Sequence, residues 1–424
     1  MVVDSTLQSQ KPSLMGRMEF RKFIGLLSGS ATQFLSLAIL GLLLAKVLTV
    51  EEFGVTRTVT SYMVVLTMLG HMTLHDAVAT YVASTEDRDG KSQYVTHSMV
   101  LVVVVSVLLA SVFHLLVANS GWWAGLSRTA LMTVVIILPL ECLSILTMSL
   151  LNASGNIRSM AVFSVVCGMV PLGIIAPCAA TWGVNGWIVA RIISSCTVFG
   201  IGVLLVREYL RMPRIDIGKV LDLIRFARVQ FVSGALSTMM LSGDVIVLER
   251  LSHDSKAIGH YGLAVLFSRP LALVASTLGR LYFKDIASSV RNPRQQWDMI
   301  HQLIKLTLGV SGILAASVFV FGGAVVRMLY GEQYTDSVKV LEVLSLGLVF
   351  SSLWSALSIA NIALKIPFGS VITSCTGLVV AGVMFMLFVP AAGAIGAAWS
   401  MNAAYMAGCG AGMIFLSKQL KKHN

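Results

Sequence analysis

Long apolar runs separated by short polar breaks dominate the chain, and they come in two matched sets. The runs lie at about 23–47, 57–84, 94–118, 129–151, 159–181 and 184–206, then at about 227–249, 260–284, 301–322, 337–361, 366–389 and 393–417. Each is continuous and near the roughly 20 residues that cross a bilayer as a helix. None shows the ten-residue alternation of a membrane barrel strand. Landmarks recur at fixed offsets. Phe53-Gly54 and Tyr261-Gly262 stand 208 residues apart, and Asn152 and Asn361 stand 209 apart. Gly183-Val184-Asn185-Gly186 and Gly393-Ala394-Ile395-Gly396 stand 210 apart. The pattern predicts an all-α polytopic membrane protein of about 12 transmembrane helices in two parallel six-helix bundles around a central cavity. A duplicated membrane unit predicts two bundles that rock about a site between them. An even number of spans per unit starts both copies on the same side, so the relating axis runs along the membrane normal.

Composition removes the water-soluble alternatives. Of the residues, 56% are hydrophobic and 12% charged, and the mean hydropathy is +0.83. A soluble domain carries about 25% charged residues. The net charge of +11 does not point to nucleic acid, because the basic residues cluster in the segments of one side. That side holds 21 of the 31, against 7 on the other. This bias predicts cytoplasmic termini and an even number of spans. The expected parts are a tail over 1–22, a bundle over 23–207, a linker over 208–226, a second bundle over 227–418 and a tail over 419–424. Asp216 is expected to cap a linker helix lying on the lipid surface, with Val220, Leu221 and Ile224 beside Lys219, Asp222 and Arg225. The six cysteines all fall in apolar spans without CxxC spacing, so no disulfide, metal or other cofactor is expected.

Ionisable groups within spans are costly in hydrocarbon and mark candidate chemistry. Arg269, Arg191, Arg57 and Arg280 are the candidate substrate-binding cations, since a buried guanidinium draws phosphate or carboxylate in a two-pronged contact. Arg269 lies roughly 14 Å into span eight at 1.5 Å per residue, just before the ladder-breaking Pro270. Asp244, Glu141, Asp76, His71 and His75 are the candidate ion-coupling groups. His71 and His75, spaced by four, share one helical face. The competing reading is structural: Arg191 pairs with Glu141 and Arg269 with Asp244 to staple helices, and Arg57 and Arg280 snorkel to the interfaces. No phosphate-cradling Gly-x4-Gly-Lys-Ser/Thr loop, nucleophile elbow or His-Glu-x2-His motif occurs. Energy must therefore come from a gradient or another protein.

Several segments resemble one family. They are Leu48-Thr49-Val50-Glu51-Glu52-Phe53-Gly54, Arg225-Phe226-Ala227-Arg228, Ile258-Gly259-His260-Tyr261-Gly262, Leu329-Tyr330-Gly331-Glu332 and the turn around Val389-Pro390. In order across about residues 20–417, this is similar to the Wzx-type polysaccharide flippases of the multidrug/oligosaccharidyl-lipid/polysaccharide exporter superfamily. The resemblance implies a cationic cavity between two six-helix bundles. It also implies transfer of undecaprenyl-pyrophosphate-linked oligosaccharide repeat units between leaflets, with membrane lipids, a polysaccharide polymerase and a chain-length regulator as partners. Arg269 and Arg57 resemble the family's cavity-lining basic positions. Two other readings stand beside it: a cation-coupled multidrug exporter of the same fold, which wants buried carboxylates whereas the spans hold basic groups at least as often, and a membrane sugar polymerase, which wants a large outer loop.

Overall fold

Helix starts, glycine turns and small residues at crossings determine how the apolar runs are arranged. The computed structural model describes residues 32–85, 87–119, 128–154, 156–210, 216–288, 293–364 and 366–422. The expected tail over 1–22, the first turns of span one, linker residues 211–215 and the side chain of Arg280 lie outside that description. The helices are α1 (Thr32–Val47), α2 (Val50–His71), α3 (Leu74–Ser84), α4 (Arg88–Asn119), α5 (Arg128–Ala153) and α6 (Ile157–Val206). They continue with α7 (Ile217–Ser252), α8 (Ser255–Ser288), α9 (Pro293–Tyr330), α10 (Thr335–Ala363) and α11 (Pro367–Lys422). Six helical stretches among the described residues are long and apolar enough to cross a membrane, and the chain is a multi-pass membrane protein.

Two helices are too long to be single spans. A straight 50-residue α6 would reach about 75 Å, against a hydrocarbon core of about 30 Å. It turns back at Gly183, at φ 59° and ψ −140°. The 56-residue α11 turns at Gly393, at φ 51° and ψ −125°. Side-chain-bearing residues rarely adopt such angles. The next motif glycine repeats too: a Cβ on Gly186 would stand 2.0 Å from the Cys178 carbonyl oxygen, and one on Gly396 would stand 2.2 Å from that of Phe388. The duplication read from sequence is thus present in backbone geometry.

Each half has one central helix. In the first, α5 packs against α2, α3, α4 and α6; in the second, α10 packs against α8, α9 and α11. Lipid is as apolar as leucine, so close packing and hydrogen bonds must hold these helices together. The Gly408-x3-Gly412 pair serves this end: a Cβ at either would press on Thr373 of the same helical hairpin, at 2.9 and 2.7 Å.

The halves meet through α2, which lies against α7 and α8. Thr49 and Glu52 cap α2 reciprocally: the Thr49 oxygen accepts from the Glu52 N–H at 3.2 Å, and the Glu52 carboxylate accepts from the Thr49 N–H at 3.0 Å. That start directs Gly54 onto α8, where a Cβ would lie 1.9 Å from the Ser255 carbonyl oxygen. Gly259 answers it, its Cβ position 2.1 Å from the Val50 carbonyl oxygen. Phe53 meets Tyr334 edge-on at 6.4 Å, and Tyr334 meets His260 at 5.8 Å. At this end, opposite the linker, the two halves are in close contact.

Two features differ from expectation. Asp216 does cap a helix, accepting from the N–H groups of Gly218 and Lys219. That helix, however, continues into span seven instead of ending as a separate surface element. The Asp216 N–H donates to His97 Nε2 at 3.0 Å, and Lys219 donates to Gln93, so the linker end of α7 is fastened to α4. The second departure is a break in span two at Met72-Thr73, where φ is 47° and 55°. His71 and His75 therefore do not share one helical face.

Candidate functional site

The hairpin joining α7 and α8 sets the first cluster. His253 ends α7 in a left-handed turn, and Asp254 accepts from the Lys256 N–H at 2.8 Å to start α8. Asp244 and Tyr261 stand at similar distances from this turn, so the antiparallel helices bring them level. Arg269 follows Tyr261 by eight residues, about two turns, on the same face. The Tyr261 hydroxyl donates to Asp244 Oδ2 at 2.7 Å, and Arg269 Nη2 donates to the same oxygen at 2.9 Å. The Asp244 side chain is 1% exposed and that of Arg269 is 34% exposed. The carboxylate is buried behind a guanidinium that faces open space.

That space is a cavity of about 470 Å³ lined by Arg269, Asp244, Tyr261, Trp354, Tyr405, Asn402 and a set of serines. Trp354 and Tyr405 stand 5.2 Å apart in a tilted pair. Arg57 reaches the cluster from the other bundle. Its stem packs on Gly262, where a Cβ would stand 2.7 Å from Arg57 Cγ. Its Nε is buried without a hydrogen-bond partner among the described residues, and Arg269, Asp244 and Tyr261 are the charged and polar groups within its electrostatic reach. Arg269 is bonded to the carboxylate, and Arg57 brings a second positive charge beside it. The expectation that Arg57 snorkels away from the interior does not match this half-buried position.

The second cluster lies within the first bundle. Arg191 Nη2 on α6 donates to Glu141 Oε1 on α5 at 2.8 Å, and the Ser195 hydroxyl donates to the same oxygen at 3.2 Å. This pair borders two cavities. One, of about 430 Å³, also holds His75 and Asp76. The other, of about 240 Å³, also holds His71 and, from α7, Thr238. His75 Nε2 lies 3.5 Å from the Asp76 carboxylate. No group of three or more metal-ligating side chains forms among the described residues.

Both ion pairs named as the structural reading of the sequence are therefore present, and Asp244 and Glu141 have cationic partners. Sequence reasoning passed over three features. Tyr261 served only as a landmark of the repeat, although a phenol eight residues before a buried arginine was a usable signal. Tyr62, Glu249 and Arg250 form an inter-bundle knot: the Tyr62 hydroxyl donates to Glu249 at 3.3 Å and accepts from Arg250 Nε at 3.1 Å. Met72-Thr73 has no glycine or proline to announce a break.

A family model described as "Polysaccharide biosynthesis protein" matches residues 43–339. No curated protein sequence matches the chain. Among solved structures, the lipid II flippase MurJ in an inward closed conformation superimposes with a TM-score of 0.74 at 16% identity, covering 92% of this chain and 87% of that one. An inward-facing multidrug resistance transporter of the MATE family, in the MOP superfamily, gives 0.72 at 13% identity, with 92% and 95% covered. An outward-facing MATE transporter gives 0.58 at 16% identity, with 95% of each covered. The chain shares the fold of these structures.

Proposed function

Because the chain belongs to the polysaccharide biosynthesis protein family, we propose that it is a transporter, not an enzyme, which flips undecaprenyl-pyrophosphate-linked oligosaccharide units across the bacterial inner membrane. Both termini lie in the cytoplasm, and the two bundles rock to expose the cavity to one side and then the other. The observation that carries this reading is the surplus positive charge of Arg57 and Arg269 over Asp244. A bare pyrophosphate cannot enter hydrocarbon. Guanidiniums beside a cavity replace part of its hydration with two-pronged hydrogen bonds. The Asp244 carboxylate competes for Arg269, which keeps attraction weak enough for release. The serine-rich first-bundle cavity beside Arg191 and Glu141 suits the neutral sugar end. Sealing opposite the linker corresponds to an inward-facing state, and the higher score against the inward-facing MATE structure supports that assignment.

Arg269→Ala tests the reading. Surface polysaccharide should be lost while the variant still reaches the membrane; normal polysaccharide would remove Arg269 from the role. A leaflet-specific assay of sugar-lipid movement in proteoliposomes gives the direct measurement. The multidrug-exporter alternative needs a free buried carboxylate for a cationic drug, and Asp244 and Glu141 both carry arginine partners. Unchanged drug accumulation with and without the protein is the expected outcome. A polymerase and a chain-length regulator remain the expected protein partners.

A further inference from the structure

Met72 and Thr73 both adopt the left-handed conformation in the middle of span two. Neither is glycine, and threonine is β-branched, so the pair is strained and must be held by its surroundings. Besides the backbone bonds from the Met72 N–H to the Met68 carbonyl at 3.2 Å and from the Asp76 N–H to the Thr73 carbonyl at 3.0 Å, the side chains of His71 and Thr73 hold it. The Thr73 N–H donates to His71 Nδ1 at 3.1 Å. The Thr73 hydroxyl lies 3.1 Å from the Ala227 carbonyl oxygen of α7, in the other bundle, and 2.6 Å from that of Met72. The His71 contact requires an unprotonated Nδ1, because a neutral imidazole accepts at one nitrogen and an imidazolium accepts at neither.

We propose that His71 is a proton-binding site: its neutral ring holds the break in span two and the clasp of Thr73 on α7, and protonation releases both. Donor would then face donor across the present bond. The strained turn would lose one of its supports, and the contact between the bundles at Ala227 would loosen. A proton is thereby exchanged for an inter-bundle hydrogen bond, which links the rocking motion to a proton gradient.

The surroundings suit proton exchange. His71 is 5% exposed but lines the 240 Å³ cavity with Glu141 and Arg191. The His75 ring meets it edge-on at 4.6 Å, and Asp76 stands behind His75. From α5 the Cys142 thiol also approaches, donating to the Thr67 carbonyl at 3.6 Å. From α7, Thr238 and Gly234 face this region and neither titrates. The Glu141 carboxylate already carries Arg191, so the two imidazoles are the groups here whose ordinary range covers physiological pH.

The test is amide hydrogen exchange on the full-length protein in detergent, without substrate, at about pH 4 and about pH 8, which brackets the histidine range with a margin on the acid side, corrected for intrinsic rates. Wild-type protection of residues 72–76 and of α7 near Ala227 should fall at low pH. Loss of one ordinary hydrogen bond corresponds to roughly a fivefold rise in opening. His71→Asn puts an amide oxygen where Nδ1 stands and cannot titrate, so its protection should be equal at both pH values. Thr73→Val should keep the response of 72–76 but abolish that of α7. Equal wild-type protection at both pH values, or a wild-type-like pH response in His71→Asn, overturns the proposal. So does an α7 response that survives in Thr73→Val. No sugar-lipid takes part, so the outcome stands apart from that of the Arg269 experiment.

Discussion

Asp244 is the residue on which the second-bundle cluster depends. It is nearly inaccessible and accepts from Tyr261, Arg269 and the Val245 N–H. Removing one member of a buried ion pair costs about 3–5 kcal/mol, mainly because the remaining charge is left uncompensated. Arg269 is partly exposed to its cavity, so Asp244→Asn should fall toward the lower end of that range. Thermal unfolding in detergent should show the loss, and Asp244→Asn with Arg269→Gln should recover much of it. At this scale the sequence was a good guide to which groups matter and a poorer guide to their states. Arg269, Arg191, Asp244 and Glu141 stood out because charge within apolar runs is rare. Their pairings could be named but not chosen, since choosing depends on helix rotation, which spacing leaves open. The place of Arg57 beside this cluster depends on its contact with Gly262 across the bundle boundary, and local sequence does not encode that contact.

Among the elements, the two glycine turns and the break in span two behave differently. Gly183 and Gly393 hold nearly the same unusual dihedral angles. Alanine at either should therefore cost about 1–3 kcal/mol by the usual scale of backbone strain. A Cβ at Gly183 would also stand 2.6 Å from the Glu52 carboxylate that caps α2, whereas one at Gly393 meets nothing within 4 Å. Loss of folded yield in both variants, larger for Gly183→Ala, is the expected result by size-exclusion chromatography in detergent. Gly183→Ala being harmless would contradict this. Both turns were legible, because the four-residue motifs recur 210 residues apart. The helix cap at Asp216 was legible for the same kind of local reason. The continuation of that helix into span seven was not, because the polar residues at 219, 222 and 225 read as an edge of the membrane. The span-two break is invisible in sequence because its support comes from a histidine ring and a distant carbonyl, not from residues that prefer left-handed angles.

For the molecule as a whole, the seal opposite the linker is a backbone-to-backbone contact. Gly54 and Gly259 let α2 and α8 approach until carbonyl oxygens occupy the space of absent side chains. Gly54→Val should prevent that approach and shift the population toward the state open on this side. A membrane-impermeant thiol reagent applied from that side should then modify Ser351→Cys in the cavity faster than in the parent protein. Unchanged labelling would mean that the seal lies elsewhere. The duplication, clear in the glycines, is absent from the charges. By the repeat offsets, the counterparts of Asp244 and Arg269 are Ser36 and Ser61, and those of Glu141 and Arg191 are Phe350 and Met401. The twin units have kept their hinges in common and acquired their polar chemistry separately. Descendants of this scaffold can therefore alter one lobe's ion pair to suit a new cargo without an obligatory matching change in the other, leaving the shared machinery of motion untouched.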